Sequence, residues 1–272
     1  MKIYQIDSSA RKKGSTSRAL AKKILNKIKK KKLKYFIIDL TKKNLFKKDK
    51  NSYFINIGKF GQILDLINKN KCKKVLFAGK IDKPKISSLR LDIKGVYYIP
   101  RIIKAAKLGD AAILKELIKI LAENRIKVIK SNFFNPELTL SRGICTKNKP
   151  TKSDLENIKI GINNLNKINA YNHVQGLVVR NKRIIIRENQ KGTKKMLQSV
   201  KKDRKYFGIL IKFPKKKQDI RADLPTIGID TLKDCKNAGI KGIVLKSKKN
   251  IFLDKQKSIK FADRNKIFIK II

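Results

Sequence analysis

The 272-residue sequence contains no tryptophan, one histidine and three cysteines, and it has no long run of apolar residues. Cys72, Cys145 and Cys235 stand far apart without a CxxC pair, which argues against a disulfide framework and a zinc site. Without an apolar run of about 18 residues no transmembrane helix is expected, and the first apolar stretch is too short for a secretory signal. These features together predict a cytoplasmic protein. The hydrophobic fraction of 41% is enough to build real apolar cores.

Acidic residues are also scarce: 20 Asp and Glu stand against 70 Lys and Arg, which gives a net charge of +50. Such a surface attracts polyanions by releasing condensed counterions. However, only 12 of the basic residues are Arg, the residue favoured for base and bidentate phosphate contacts. The lysines are spread along every segment, and no aromatic pattern for stacking bases is present. We expect an anionic partner and no specific nucleic acid, with a non-catalytic nucleic-acid-binding protein as an alternative.

Strand-like and helix-like segments alternate through the first half of the chain. Strands are predicted at residues 2–6, 34–40, 74–79 and 125–130, and helices at 96–106, at 110–124 with Asp110 as N-cap, from about Thr16, and after Gly58 and Gly61. This alternation is typical of a Rossmann-like parallel sheet with helices on its faces. No GxGxxG motif follows the first strand, so no dinucleotide site is expected.

The second half has a different pattern. Residues 132–152 are rich in turn formers and are predicted to link a domain at 1–131 to a mixed α/β domain at 153–272. In that domain we predict helices at 154–167, at 192–200 and from a Thr231 cap to Gly239, a hairpin at 174–188 around Asn181-Lys182, and strands at 207–213, 242–245 and 266–272.

Residues 218–228, QDIRADLPTIG, are the most informative stretch because carboxylates are rare in this chain. Asp219 and Asp223 lie on either side of Arg221, just beyond the predicted strand that ends near Lys212. Two aspartates can hold a hydrated Mg²⁺ ion, and Arg and Lys can bind phosphate oxygens. The alternative is that both aspartates are ordinary turn acids paired with Arg221 or surface lysines, and the spacing alone favours that alternative.

Three weaker patterns also point to anion or ligand binding. One is a strand glutamine near a Gly-Thr step at a helix start, and the other two are loops that follow glycine-terminated segments. The residues concerned are Gln175, Gly192, Thr193, Gly79, Lys80 and Asp110. His173 has no nucleophile or acid partner in an evident motif, so we interpret it as structural.

Taken in order, the segments NIGKFGQIL, VLFAGKIDKP, VQGLVV, ENQKGTKKM and LIKFPKKKQDIRADLPTIGIDT resemble the LpxI-type UDP-2,3-diacylglucosamine pyrophosphatases from about Ile55 to Ile272. The resemblance implies a two-domain cytosolic enzyme of lipid A biosynthesis with its active site between the domains. It implies hydrolysis of UDP-2,3-diacylglucosamine to UMP and 2,3-diacylglucosamine 1-phosphate with a divalent cation, usually Mg²⁺. Peripheral contact with the anionic inner-membrane surface is expected, and a homodimer stays open.

The resemblance also implies roles for the candidate residues. Asp223, and with it Asp219, is expected to bind the metal or activate water. Phosphate contacts are expected from Arg221, Lys212 and Gln218, and further substrate contacts from Gln175, Thr193, Gly192, Gly79, Lys80 and Asp110.

Two segments depart from the family pattern. The loop at residues 8–14 resembles the phosphate loop of a flavodoxin-like flavin reductase, which makes that activity a second alternative. The family's acidic run Glu-Gly-x-Glu-Gly-Thr-Asp corresponds to ENQKGTK at residues 188–194, where Lys191 and Lys194 replace two acids and Asn189 replaces a glycine.

Overall fold

The computed structural model describes residues 3–7, 16–40, 46–78, 86–168, 174–189, 191–203, 205–215 and 219–272. The chain divides into two compact units. Unit 1 comprises Met1–Pro136 and Gln218–Asp223, and unit 2 comprises Glu137–Lys217 and Leu224–Ile272. Both units combine helices with β-sheet, so the predicted two-domain α/β class is confirmed.

Unit 1 is built on a parallel sheet, which in the described residues has five strands. These are β1 (Ile3–Asp7), β2 (Tyr35–Asp39), β3 (Ser52–Phe54), β4 (Lys74–Ala78) and β5 (Lys127–Ile129). Their order is β3-β2-β1-β4-β5, and every neighbouring pair is parallel. This is the Rossmann-like sheet that the sequence pattern predicts.

The helices of unit 1 are α1 (Thr16–Lys30), α2 (Phe60–Lys69), α3 (Ile93–Leu108) and α4 (Asp110–Glu123). The apolar positions that predict α2, Ile63, Leu64 and Ile67, are all buried in the core of the unit. The prediction that Asp110 caps α4 is wrong: Gly109 is the N-cap and Asp110 is the first helical residue. Gly109 has φ +108°, a left-handed value that favours glycine between two adjoining helices.

The strand order of unit 1 changes direction at β1, which lies between β2 and β4. Ligands of open parallel sheets bind beyond the carboxyl ends of the strands at such a switch point. The segments that follow β1 and β4 are residues 8–15 and 79–85, and they lie outside the described residues. The ligand contacts expected of Gly79, Lys80 and the loop at 8–14 therefore stay predictions.

The main sheet of unit 2 is mixed and has six strands within the described part of the chain. Its members in chain order are β6 (Gly143–Ile144), β7 (Gly176–Arg180), β8 (Arg183–Arg187), β9 (Gly208–Lys212), β11 (Ile240–Leu245) and β13 (Phe268–Ile271), and a separate parallel pair consists of β10 (Thr226–Ile227) and β12 (Ile251–Phe252). The order is β6-β13-β11-β9-β7-β8. The three central strands are parallel, and β6, β7 and β8 run antiparallel to their neighbours.

The helices of unit 2 are α5 (Lys152–Lys167), α6 (Gly192–Gln198), α7 (Ile229–Asn237) and α8 (Lys255–Arg264). The predicted hairpin is confirmed as β7 and β8, and both turn residues, Asn181 and Lys182, have positive φ. The predicted Thr231 cap is wrong, because α7 begins at Ile229 with Gly228 as N-cap.

The division into units bears on two predictions, the linker at 132–152 and the domain that contains the QDIRADLPTIG stretch. Of the stretch 132–152, residues up to Pro136 belong to unit 1, and the later part contributes β6 to the sheet of unit 2. Residues 218–223 belong to unit 1, although the chain on both sides belongs to unit 2. No helix in the described ranges is long and apolar enough to span a bilayer.

Candidate functional site

Three segments of unit 2 meet at one end of its sheet. Because β7 is antiparallel to both β8 and β9, the start of β7 lies beside the ends of the other two strands. The Phe213 N–H donates to the Gln175 carbonyl at 2.8 Å, and the Glu188 N–H donates to the Gly176 carbonyl at 2.8 Å. Lys212, the last residue of β9, and Glu188, which follows β8, are thereby placed at the same sheet end.

Lys212, Thr193 and Glu188 form a hydrogen-bonded cluster at this sheet end. Lys212 and Glu188 are only 6% and 8% exposed. The Lys212 ammonium donates to Thr193 Oγ1, and the Thr193 hydroxyl donates to Glu188 Oε1 at 2.8 Å. Lys212 Nζ also lies 3.9 Å from Glu188 Oε1. The structure therefore brings together two predicted residues, Lys212 and Thr193, and adds a carboxylate that the predictions did not include.

One carboxylate oxygen of Glu188 is unsatisfied within the described part of the chain. Its Oε2 is buried and has no hydrogen-bond partner among the described residues. A buried acceptor without a donor is costly and calls for an explanation. A hydroxyl or N–H group of a ligand would satisfy Oε2, and the neighbouring Lys212 ammonium can bind a phosphate oxygen. Chemically the cluster suits a ligand that carries both an anionic group and a hydrogen-bond donor.

The acidic turn at residues 219–223 belongs to unit 1. The Arg221 guanidinium donates two hydrogen bonds to the Asp219 carboxylate: Nη2 lies 2.6 Å from Oδ2, and Nε lies 3.0 Å from Oδ1. The Asp219 carbonyl accepts the N–H groups of Ala222 and Asp223, each at 3.1 Å. The Arg221 guanidinium holds the pKa of Asp219 below its usual range against the opposing effect of burial. The structure thus contains the Asp219–Arg221 pair that the sequence left open as an alternative to metal binding.

Contacts with unit 1 fix the position of this turn. The Ser131 N–H donates to the Arg221 carbonyl at 3.1 Å. Ala222 packs against the apolar cluster formed by the buried residues of α2, α4 and the sheet of unit 1. Lys115 of α4 adds a favourable charge, which also lowers the pKa of Asp219. Asp223 is half-buried at the end of the turn.

The donor set of the turn limits the kind of metal site it can form. In the described ranges there is no group of three or more His, Cys, Asp or Glu side chains that could enclose a metal ion. Asp219 and Asp223 supply two carboxylates, and Asp219 is paired with Arg221. Mg²⁺ commonly binds through one or two protein carboxylates and takes its remaining ligands from water and phosphate. The turn therefore fits a cation held mainly by substrate and water, and it does not fit a closed protein site.

The other predicted site residues are distributed as follows. Gln175 precedes β7 and supports the sheet end through its carbonyl, while Gly192 begins α6 with φ +81°. Asp110 is exposed at the start of α4. Gln218, Gly79, Lys80 and His173 lie outside the described residues.

Both halves of the chain match models of one protein family. Residues 19–138 match the LpxI N-terminal domain, and residues 141–270 match the LpxI C-terminal domain. The chain is 30% identical over 223 residues to the UDP-2,3-diacylglucosamine pyrophosphatase LpxI of Caulobacter vibrioides. The match covers 79% of this chain and 80% of that protein. The chain belongs to the LpxI family. The LpxI match starts well before Ile55, so the sequence resemblance underestimated its extent.

A second relative matches over a much shorter stretch. The FMN-dependent NADH:quinone oxidoreductase of Pelagibacter ubique is 90% identical over 30 residues, which is 11% of this LpxI-family chain and 16% of the oxidoreductase. This similarity is confined to a short segment of both proteins. It covers too little of the oxidoreductase to indicate a shared active site.

Proposed function

We propose that this LpxI-family protein hydrolyses the pyrophosphate bond of UDP-2,3-diacylglucosamine and releases UMP and 2,3-diacylglucosamine 1-phosphate, a step of lipid A biosynthesis. The observation that carries the proposal is the similarity to the Caulobacter pyrophosphatase across about four-fifths of both chains, with both LpxI domains matched. The intact 218–228 stretch supports it further, because it contains the turn acids and the arginine of the candidate site.

The reaction transfers a phosphoryl group to water. Such a transfer needs neutralised charge on the phosphate oxygens and a positioned water molecule, with little covalent participation by the protein. We propose that Asp223, with Asp219, holds a divalent cation, which when bound neutralises charge on the pyrophosphate. Asp223 is the first candidate, as the family resemblance implies, and Asp219 is paired with Arg221.

Arg221 can bind a phosphate oxygen while it stays next to Asp219. The bonds to Asp219 use Nε and Nη2, and 44% of the Arg221 side chain remains exposed. The Asp219 carboxylate orients the guanidinium, and the Ser131 contact holds the backbone beneath it. A preoriented guanidinium stabilises charge that develops on phosphate oxygens without reorganising during the reaction.

In unit 2 we propose that Lys212 binds an anionic group of the substrate. The Lys212 ammonium is held in place by Thr193, and its charge is offset by Glu188. Glu188 Oε2 is then the acceptor for a substrate hydroxyl or amide. Lys191 and Lys194 replace acids of the family run, but neither belongs to the buried cluster, so we expect the cluster to bind its ligand without them.

Carboxamide variants test the roles of the two turn aspartates. We expect Asp223→Asn to lower turnover of UDP-2,3-diacylglucosamine at least 100-fold, and Asp219→Asn to lower it less. The matched control is Asp230→Asn, which changes an exposed aspartate in the first turn of α7 and should keep wild-type turnover. Each protein is assayed with Mg²⁺ and with a chelator. If Asp223→Asn matches wild type, the aspartate has no part in the mechanism. If the rates with Mg²⁺ and with chelator are also equal, the cation has none either.

A flavodoxin-like flavin reductase is the second candidate, and the 30-residue similarity to an FMN-dependent oxidoreductase favours it. That similarity is confined to 16% of the oxidoreductase. We expect purified protein to be colourless and to stay so after incubation with FMN and gel filtration. Retention of stoichiometric flavin absorbance would support the second candidate.

A further inference from the structure

Helix α3 exposes an apolar stripe at its N-terminal end. Ile93, Val96 and Tyr97 are 89%, 58% and 72% exposed, and Pro100, one turn further along, is exposed as well. The spacing of three and four residues places these four side chains on one face of the helix. We call these four residues the outer stripe. Large apolar residues clustered on one exposed face indicate an interaction surface more strongly than the same residues scattered singly.

The outer stripe lies on a helix that is firmly attached to unit 1. Asp92 caps α3 by accepting the Gly95 N–H at 2.8 Å, and it also accepts the N–H groups of Gly61 and Gln62 in α2, each at 3.0 Å. Burial alone would raise the pKa of Asp92, but these three donors lower it below its usual range. Tyr98 packs edge-on against Phe60 of α2. The stripe is thus exposed because the opposite face of α3 is the one that packs.

The charges around the outer stripe are positive. Helix α3 carries four basic residues and no acidic residue. Arg101 is neutralised by Glu116 and Glu123 of α4, and Lys94 pairs with Asp65. The remaining two, Lys104 and Lys107, are exposed one and two turns beyond the stripe, and Arg90 is exposed just before the helix. The stripe is therefore flanked at both ends by exposed basic side chains.

We propose that the outer stripe docks the protein on an anionic phospholipid bilayer. Apolar side chains of an interfacial helix enter the boundary between headgroups and acyl chains, and flanking lysines reach anionic headgroups. The charge pattern favours a bilayer over a second copy of this chain, because self-association would bring the same basic residues together. Docking concerns where the protein works and is separate from the proposed hydrolysis, although an acylated substrate would reside in the same membrane.

A tryptophan probe tests the position of the stripe directly, because the protein has no tryptophan of its own. Tyr97→Trp should show blue-shifted emission, and quenching by brominated acyl chains, with phosphatidylglycerol-containing vesicles but not with pure phosphatidylcholine vesicles. The control is Leu155→Trp on α5, where Leu155 is 45% exposed, and its emission should not change. Unchanged Tyr97→Trp emission on anionic vesicles would overturn the proposal.

Flotation of charge variants on the same vesicles separates the stripe from diffuse attraction. Val96→Glu/Tyr97→Glu should lower the vesicle-bound fraction at least tenfold, and Lys104→Glu/Lys107→Glu at least threefold. The control, Lys159→Glu/Lys167→Glu on α5, changes the net charge as much as Lys104→Glu/Lys107→Glu does, at exposed positions, and should bind as wild type. An equal loss in the control would show binding by net charge alone and would overturn the proposal.

Hydrolysis of detergent-dispersed substrate is measured in parallel with flotation. The stripe variants should match wild type, since the stripe is not part of the proposed reaction site. Vesicle binding without hydrolysis in any of these proteins would contradict the proposed function and leave the docking inference intact. Hydrolysis by the wild type without vesicle binding would contradict the docking inference and leave the proposed function intact.

Discussion

At the scale of single residues, the Lys212–Glu188 pair is unusual because both of its charged side chains are more than nine-tenths buried, which charged side chains seldom are. Lys212 was a predicted site residue from its position at a strand end. Glu188 was not, although it lies in the family's acidic run. Its burial follows from the strand order β9-β7-β8, which joins residues far apart in sequence. Local sequence spacing contains no signal for that contact.

Removal of one charge of this pair should destabilise the fold, whereas removal of both should not. We expect Lys212→Met to lower the free energy of unfolding by about 3 kcal/mol, because it leaves Glu188 buried without a counter-charge. The double variant Glu188→Gln/Lys212→Met should recover at least half of that loss while turnover stays at least 100-fold down. Urea unfolding and the hydrolysis assay measure the two effects. Full activity in the double variant would contradict a binding role for the cluster.

The Asp219–Arg221 pair should make stability depend on pH. Arg221 lowers the pKa of Asp219 in the folded protein, so the pair stabilises the fold above the unfolded Asp pKa of about 3.9 and loses this effect as pH falls through the lower folded value. Arg221→Met should lower the free energy of unfolding by only about 0.5 kcal/mol at neutral pH, because 44% of the arginine side chain is exposed and water screens its charge.

The pH dependence of that difference is what identifies the pair. The deficit of Arg221→Met relative to wild type should shrink towards zero well below pH of about 3.9. Arg142→Met, at an exposed arginine of unit 2, should show a difference from wild type that does not vary with pH. A constant deficit for Arg221→Met in urea unfolding would contradict an ionic pair.

At the scale of elements, segments with a clear apolar pattern were predicted well, and segments without one were not. α1, α2, α4 and α5 follow from apolar positions one turn apart, and β9 follows from the apolar run at 207–213. β10 and β12 have two residues each, too few for any periodicity, and they exist because they pair with each other. α8 was missed because only three of its ten residues, Ile259, Phe261 and Ala262, are apolar. The predicted Thr231 cap of α7 is wrong because the helix begins at Ile229, and its N-cap, Gly228, has no side chain to form a capping hydrogen bond.

Close packing of α5 on the sheet depends on Gly161. A Cβ at this position would overlap Ile211 Cδ1 of β9 and lie 2.8 Å from Val179 of β7. Gly161→Ala should therefore lower the free energy of unfolding by about 2 kcal/mol, even though alanine is the better helix former. Asn163→Ala, at an exposed position of the same helix, should be neutral or slightly stabilising. Equal stability of the two variants in urea unfolding would contradict the tight helix–sheet contact.

At the scale of the whole molecule, the division into two α/β units was predictable from the change of pattern along the chain, but the membership of residues 218–223 was not. That segment packs with unit 1 through Ser131 and the α2–α4 core, while the residues on either side belong to unit 2. These contacts join positions ninety or more residues apart, as Ser131 and Arg221 are, and no local periodicity indicates them. The sequence analysis placed the whole QDIRADLPTIG stretch in the second domain, at 153–272, whereas residues 218–223 belong to unit 1 and only the part from Leu224 onwards belongs to unit 2.

The net charge of +50 is spread over the whole chain, so it should give only weak, unspecific attraction to nucleic acid. Affinity for random single-stranded RNA should fall steeply as salt rises and be lost near about 0.2 M, since diffuse lysine contacts depend on counterion release. Filter binding across a salt series measures this. Tight binding that survives at that salt concentration would favour the nucleic-acid-binding alternative.

The most direct test of the central claim is product analysis after incubation of the wild-type protein with UDP-2,3-diacylglucosamine and Mg²⁺. The account predicts equimolar UMP and 2,3-diacylglucosamine 1-phosphate by mass spectrometry, with far slower cleavage of the non-acylated UDP-N-acetylglucosamine. An intact acylated substrate after prolonged incubation with folded protein and divalent cation would contradict it.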